Sequence, residues 1–332
     1  MKKRLHSVTV SCILIAFSLF MVPLISFSQH FIFQTGSVKW EAGVNFGPSF
    51  FLGDLGGNTG KGTGFIKDIN LQFTNIMKGV FLTAYPSDFI GIRVAAQMGS
   101  LAGDDAAIKT KGVDELWRKQ RNLDFRTNIE EAYIAVEVFP LMVLTSFMEN
   151  QPRLRPYGVF GVGMFHFNPQ GSLTDANGQK TWYYLHPLRT EGEGMIEYPG
   201  RKEYKLTQFN IPAGFGLKYF VSERVNISTE FLYRKTFTDY IDDVSTFVID
   251  PNYFARYLSA ADAAIARQIS DKTYGIVTPG INRYAPGTQR GNPKLDDAYF
   301  NFFLKIGIRL GEIYGSAFEK NAAHQLRCPK IF

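Results

Sequence analysis

The chain is poor in cysteine and histidine. Of its 332 residues, two are Cys (Cys12 and Cys328) and five are His. Cys12 falls inside an N-terminal apolar run, so a single cysteine remains downstream and no disulfide scaffold forms. The later histidines, His30, His166, His186 and His324, show no ligand spacing and so imply no metal motif. A second long hydrophobic run is also missing. The best later candidate, VFPLMVLTSFM at 138–148, is too short to cross a bilayer as a helix. Charge of one sign is scarce as well. The net charge is +6 and falls to +3 once Lys2, Lys3 and Arg4 are removed, too mild to imply nucleic acid as a partner.

What is present starts with those three cations. MKKRLHSVTVSCILIAFSLFMVPLISFSQ has a basic start, an apolar stretch over 12–25 and a small-x-small triplet, Ser26-Phe27-Ser28. This predicts a secretory leader over residues 1–28, with Gln29 as the mature N-terminus. The rival, an uncleaved anchor, is disfavoured by Pro23 and by the triplet. Too little apolar sequence precedes Cys12 for a lipoprotein site. Beyond the leader the chain is rich in glycine (31) and in aromatics (30 Phe and 16 Tyr). Without a collagen period, that pairing indicates many strands and turns.

Eight segments alternate with a period of two, near 38–47, 78–85, 90–100, 126–139, 155–167, 206–220, 222–236 and 298–310. Period two marks a strand with one apolar face. The connections are long (48–77, 101–125, 168–205, 238–297) in strict alternation with shorter ones (86–89, SFMENQPR at 146–153, and 221–224). Long outer loops alternating with short periplasmic turns are the pattern of an even-stranded membrane barrel. The prediction is therefore an all-β, eight-stranded antiparallel transmembrane barrel. Its layout is a leader at 1–28, a barrel over 29–310 and a periplasmic tail over 311–332. The competing reading is a soluble lipocalin-like barrel or sandwich, with the apolar face inside; alternation alone does not separate inside from outside.

In the membrane reading the polar faces line the lumen. They carry Glu41, Arg93, Glu131, Glu137, Lys218, Glu230, Arg234, Lys305 and Arg309. An eight-stranded barrel is wide enough only for its own side chains, and buried charges must be paired. A structural plug of ion pairs is expected, and no conducting channel.

Motifs that carry chemistry are weak. GDLGGNTGKGTG at 53–64 lacks the phosphate-loop spacing: Leu55 stands where the first glycine belongs and Gly62 where Ser or Thr belongs. It is read as a loop. A Ser–His hydrolase using His166 with Ser222 or Ser228 is a remote option. The acidic cluster Asp239, Asp242 and Asp243 has the charge to hold calcium or to bridge lipopolysaccharide phosphates through divalent ions. It lacks a calcium-loop glycine spacing, so loop capping and pairing with basic residues is the simpler reading. SAADAAIARQIS at 259–270 begins Ser-x-x-Asp and predicts a short helix over the outer mouth.

GVFGVGMFHFNPQG, LRTEGEG, LTQFNIPAGFGLKY, SERVNISTEFLYRKTFTDYIDDVS and RGNP resemble a family of small outer-membrane β-barrels that includes the PorG component of type IX secretion. The resemblance runs from about Trp40 to Leu310. It implies an eight-stranded barrel with no catalytic residues and no cofactor, set in outer-membrane lipid. Its implied role is that of a partner of the periplasmic secretion ring. A second possibility is a general envelope barrel whose loops bind surface ligands or lipopolysaccharide. About twenty residues follow the last strand, a departure from the family. That tail (311–332) and the turn at 145–153 are the expected docking contacts.

Overall fold

The structure, a computed structural model, describes residues 38–56, 73–108, 113–144, 152–273 and 284–310. The leader, the tail, most of the glycine-rich stretch and most of the 145–153 turn lie outside the described residues.

Eight long strands form the wall. In chain order they begin with β1 (Lys39–Leu52), β2 (Asn75–Ser87) and β3 (Ile90–Asp104). Helix α1 (Val113–Arg121) then precedes β4 (Asp124–Val138), and α2 (Pro140–Leu144) precedes β5 (Leu154–Phe167). A small hairpin, β6 (Gln170–Thr174) and β7 (Lys180–Tyr184), stands on the following loop. The wall continues with β8 (Thr207–Phe220) and β9 (Val225–Thr236). Helices α3 (Phe254–Tyr257) and α4 (Ala260–Ser270) fill the last long loop before β10 (Ala298–Leu310).

Each wall strand pairs antiparallel with its neighbours in the order β1-β2-β3-β4-β5-β8-β9-β10, and β10 returns to β1. The closed ring leaves no strand edge, so every backbone group of the wall finds a partner without water. The strands run from 12 to 15 residues, longer than the roughly ten needed for a tilted crossing. The surplus lies at the long-loop end, where Leu101–Asp104 of β3 pairs with Asp124–Thr127 of β4.

Facing follows from accessibility. Phe215 and Val162 are 65% and 64% exposed on the outside of the wall, whereas Arg93 and Glu137 are fully buried inside it. A contiguous apolar belt around a core of charges is untenable in water. In lipid it is the expected arrangement. The soluble reading is thereby excluded. Trp40 and Tyr219 stand exposed at the short-turn end of the belt, where an interface girdle belongs.

Close strand approach explains two glycines. A Cβ on Gly47 would sit 1.9 Å from the carbonyl oxygen of Phe302, and one on Gly214 would sit 2.0 Å from that of Phe231. The helix predicted near 259–270 is α4. Ser259 caps it, its hydroxyl accepting the Asp262 N–H at 3.1 Å. Ala263, Ala266 and Ile269 repeat at helical spacing and pack against Leu185, Leu188 and Phe254.

Candidate functional site

The interior is stratified into three levels. The lowest, toward the short turns, is ionic. Lys218 Nζ donates to Glu41 Oε1 at 2.8 Å and to the Tyr85 hydroxyl at 2.6 Å, and Tyr85 donates to Glu137 at 3.0 Å. Arg93 holds the centre. Its two terminal nitrogens reach both oxygens of Glu230 at 2.9 and 2.7 Å, and its Nε reaches Glu137 at 2.6 Å. Lys305 joins Glu230 at 3.0 Å, and Tyr157 donates to Glu230 at 2.7 Å. Above them Arg234 meets Glu131 at 3.1 Å, Gln97 at 2.7 Å and Asn301 at 2.6 Å.

Period two produces this network. Inward positions on neighbouring strands stack at the same height, so β3, β4, β8, β9, β10 and β1 each deliver a charge to the same column. Four carboxylates (Glu41, Glu131, Glu137, Glu230) meet four cations (Arg93, Lys218, Arg234, Lys305). The lumen is charge-balanced, as a low-dielectric interior requires.

Arg309 does not belong to it. The register places Arg309 opposite Glu41 at the end of β10, but its side chain lies at the rim with its guanidinium 4.2 Å over the Phe220 ring. Among the described residues it makes no ion pair. The reason is height: by the last turn of β10 the paired carboxylates lie deeper in the barrel, and the ring face is the nearest electron-rich surface.

The second level is apolar, which alternation did not foretell. At the outer ends of the strands the inward positions are Leu101, Phe125, Ile129, Phe165 and Phe167, with Tyr299 and Phe303. Stacked rings run on from Phe167 to Tyr204 at 6.1 Å and from Tyr204 to Tyr240 at 4.6 Å. These aromatics close the barrel from above.

The third level is an acidic cap built by the long loops. Two arginines organise it. Arg121 of α1 donates from Nε to Asp105 Oδ2 at 2.7 Å and from Nη2 to the backbone carbonyl of Asp54 at 2.7 Å. Arg290 donates to Glu191 Oε1 at 2.8 Å and to the Asp243 carbonyl at 2.6 Å. Glu191 also accepts the N–H groups of Ser245 and Thr246 at 2.9 and 2.8 Å. Asp243, in the left-handed region at φ 63°, accepts from the Tyr204 hydroxyl at 2.7 Å and from Thr190.

The predicted acidic cluster is thus split. Asp243 serves the Arg290 side. Asp242 turns to the β1 loop, where it accepts the Leu55 N–H at 2.9 Å, and Asp239 lies nearby beside the Ser245 side chain, neither of its oxygens within bonding geometry of a donor among the described residues. Asp297 and Asp54 complete that second group. Asp297 Oδ2 accepts the Ile241 N–H at 2.8 Å, its Oδ1 meets no donor, and Asp54 accepts the Asn292 N–H. Burial pushes the Asp239 carboxyl up to about 9, helped by repulsion from Asp242 and Asp54. Burial and the same neighbours raise Asp242 and Asp297 well above the usual carboxylate range. Burial lifts Glu193 to about 8, with Asp243 and Glu191 adding to it. No group of three or more His, Cys, Asp or Glu among the described residues is arranged to hold a metal ion. Asp54, Glu191, Glu193 and Asp297 were not anticipated from sequence. The one available signal was that LRTEGEG, TDYIDDVS and RGNP all carry charge in otherwise loop-like sequence.

The hydrolase option does not assemble. His166 points outward at the outer end of β5, with Nδ1 3.0 Å from Thr207 Oγ1. Ser222 sits in the opposite, short turn, where it accepts the Val225 N–H, and Ser228 is buried in the lumen.

No protein-family model and no curated protein matches the chain. Its fold is similar to solved outer-membrane barrels. One is Ail of Yersinia pestis, with 8% identity, TM-score 0.33, and 82% of this chain and 99% of that chain covered. Another is a major outer membrane protein of Thermus thermophilus, with 8% identity, TM-score 0.36, and 82% and 99% covered. A third is outer membrane protein W of E. coli, with 12% identity, TM-score 0.32, and 83% and 100% covered. The chain itself is a closed eight-stranded antiparallel barrel of the outer-membrane type, its belt in contact with lipid.

Proposed function

We propose that this outer-membrane barrel is a non-enzymatic accessory component of type IX protein secretion, anchoring the periplasmic ring to the membrane. The observation that carries the reading is where the resembling strings meet. LRTEGEG, TDYIDDVS and RGNP are far apart in sequence, yet Glu191, Asp243 and Arg290 from those three strings bond to one another in the cap. The string set therefore corresponds to one folded unit rather than to scattered matches. A lumen filled by balanced ion pairs and closed by aromatics favours an anchor over a conduit. The rim at the short-turn end offers Lys39, Arg153, Arg224 and Arg309 against Asp88 and Glu223, a mildly basic face suited to an acidic periplasmic partner.

The test combines deletion with crosslinking. In a strain lacking the gene, export of type IX cargo should fall. A photo-crosslinker in the 145–153 turn or in the tail over 311–332 should capture ring proteins. Unimpaired export with no crosslink from either the 145–153 turn or the tail would refute the secretion role. The general envelope reading, with the outer loops binding surface ligands, would then stand.

A further inference from the structure

We propose that the acidic cap is a proton-held closure, in which protons shared among Asp54, Asp239, Asp242 and Asp297 hold the segment at 54–56 against those at 239–243 and 292–297 over the barrel mouth. The premise is a charge deficit. In the lumen every carboxylate has its cation, but in the cap the two buried guanidiniums are already engaged by Asp105 and Glu191. Among the described residues the four aspartates form no ion pair of their own; the nearest cation to Asp54 and Asp242 is Arg121, which is bound to Asp105. Asp239 and Asp297 are at least nine-tenths buried, and among the described residues three of their four oxygens have no hydrogen-bond partner within bonding geometry, the Ser245 side chain being the polar group beside Asp239. A bare carboxylate in that state is strongly disfavoured, and protonation is the ordinary remedy.

The groups facing this layer come from every loop around it. The β1–β2 loop supplies Asp54, and the β3–β4 connection supplies Asp105 with Arg121. From the β5–β8 loop come Glu191 and Glu193, the latter with an unpartnered Oε1. From the β9–β10 loop come the remaining aspartates with Tyr240 and Arg290. Lys272 lines the same small cavity as Asp242, but its ammonium is held by Asp124. The layer is also where two distant segments join: Asp242 fixes the backbone of Leu55, and Asp54 fixes that of Asn292. Charging the four aspartates would push those segments apart.

The direction follows from linkage. The folded cap binds protons more tightly than the open loops, whose aspartates titrate near 3.8, while Asp239 in place titrates at about 9. The stabilisation is complete below about pH 4 and is lost progressively as pH rises toward about 9. The cap is seated by acid and loosened by base.

The experiment is limited proteolysis of the full chain in detergent micelles across about pH 5 to 10. The rate at each pH is divided by that of the heat-denatured chain, and the gel shift on heating reports barrel integrity. Cleavage in the outer loops should rise by about tenfold per pH unit for each proton released on opening. Asp239→Asn and Asp297→Asn should each flatten that slope while the gel shift persists. A normalised rate that stays constant over the window overturns the proposal, as do folded Asn variants that keep the wild-type slope. It also falls if EDTA opens the loops at neutral pH and millimolar calcium closes them at alkaline pH, since a cation would then be the neutralising agent. If an Asn variant fails to fold, the wild-type slope with and without EDTA decides alone.

Discussion

Breaking the Arg234–Glu131 pair tests the balanced lumen most directly, because the two ends of the pair are supported unequally. Arg234 is fully buried and has three neutral acceptors besides Glu131: Leu232 O at 2.8 Å, Asn301 Oδ1 at 2.6 Å and Gln97 Oε1 at 2.7 Å. Glu131 has two neutral donors, Asn210 Nδ2 at 2.7 Å and the Tyr299 hydroxyl. Arg234→Met therefore leaves a buried carboxylate with two neutral donors and no cation, and should cost about 3–5 kcal/mol, the range for an orphaned buried charge. Glu131→Leu leaves a guanidinium still bonded to three acceptors, and should cost less, about 2–3 kcal/mol. The double variant removes both charges and should cost no more than Arg234→Met alone, giving a coupling of about 2 kcal/mol or more. The assay is urea unfolding in lipid vesicles followed by tryptophan fluorescence, with the heat-dependent gel shift as a second probe. Additive single and double costs, or an Arg234→Met cost below about 1 kcal/mol, would refute the reasoning, since water or other groups would then be supporting the carboxylate.

Three further outcomes are expected. Ile306 faces the bilayer at 40% exposure, so Ile306→Arg should destabilise the barrel by about 2–4 kcal/mol in urea titration if it lies near the midplane, whereas the same change in a soluble barrel would be tolerated. Gly214→Val should lower stability and slow barrel formation on a gel-shift time course, because the new Cβ would meet the Phe231 carbonyl at 2.0 Å. Planar-bilayer recordings should show no steady porin-like conductance through a lumen closed by Arg93, Arg234 and the aromatic level above them.

The sequence by itself determined the strand count, the alternation of long and short connections, the helix at 260–270 and the outward row on β10. Each is a local property: a period of two, a loop length, an N-cap serine. It also placed the lumen charges on one face of each strand, because facing within a strand needs no partner. Which face turned inward required closure. Only when β10 returns to β1 does one set of side chains share a space too narrow for water and the other set meet lipid. The height of a side chain along the barrel axis was likewise hidden. Arg309 shares parity with Lys305, yet one pairs with Glu230 and the other rests on Phe220. The aromatic level escaped notice because its residues sit on strand ends that extend past the membrane, where inward no longer means polar. The cap was least legible of all. Its carboxylates come from residues 54, 105, 191, 193, 239–243 and 297, and only folding brings charges so far apart in sequence into one buried layer. Their burial, not their sequence spacing, raises their proton affinity.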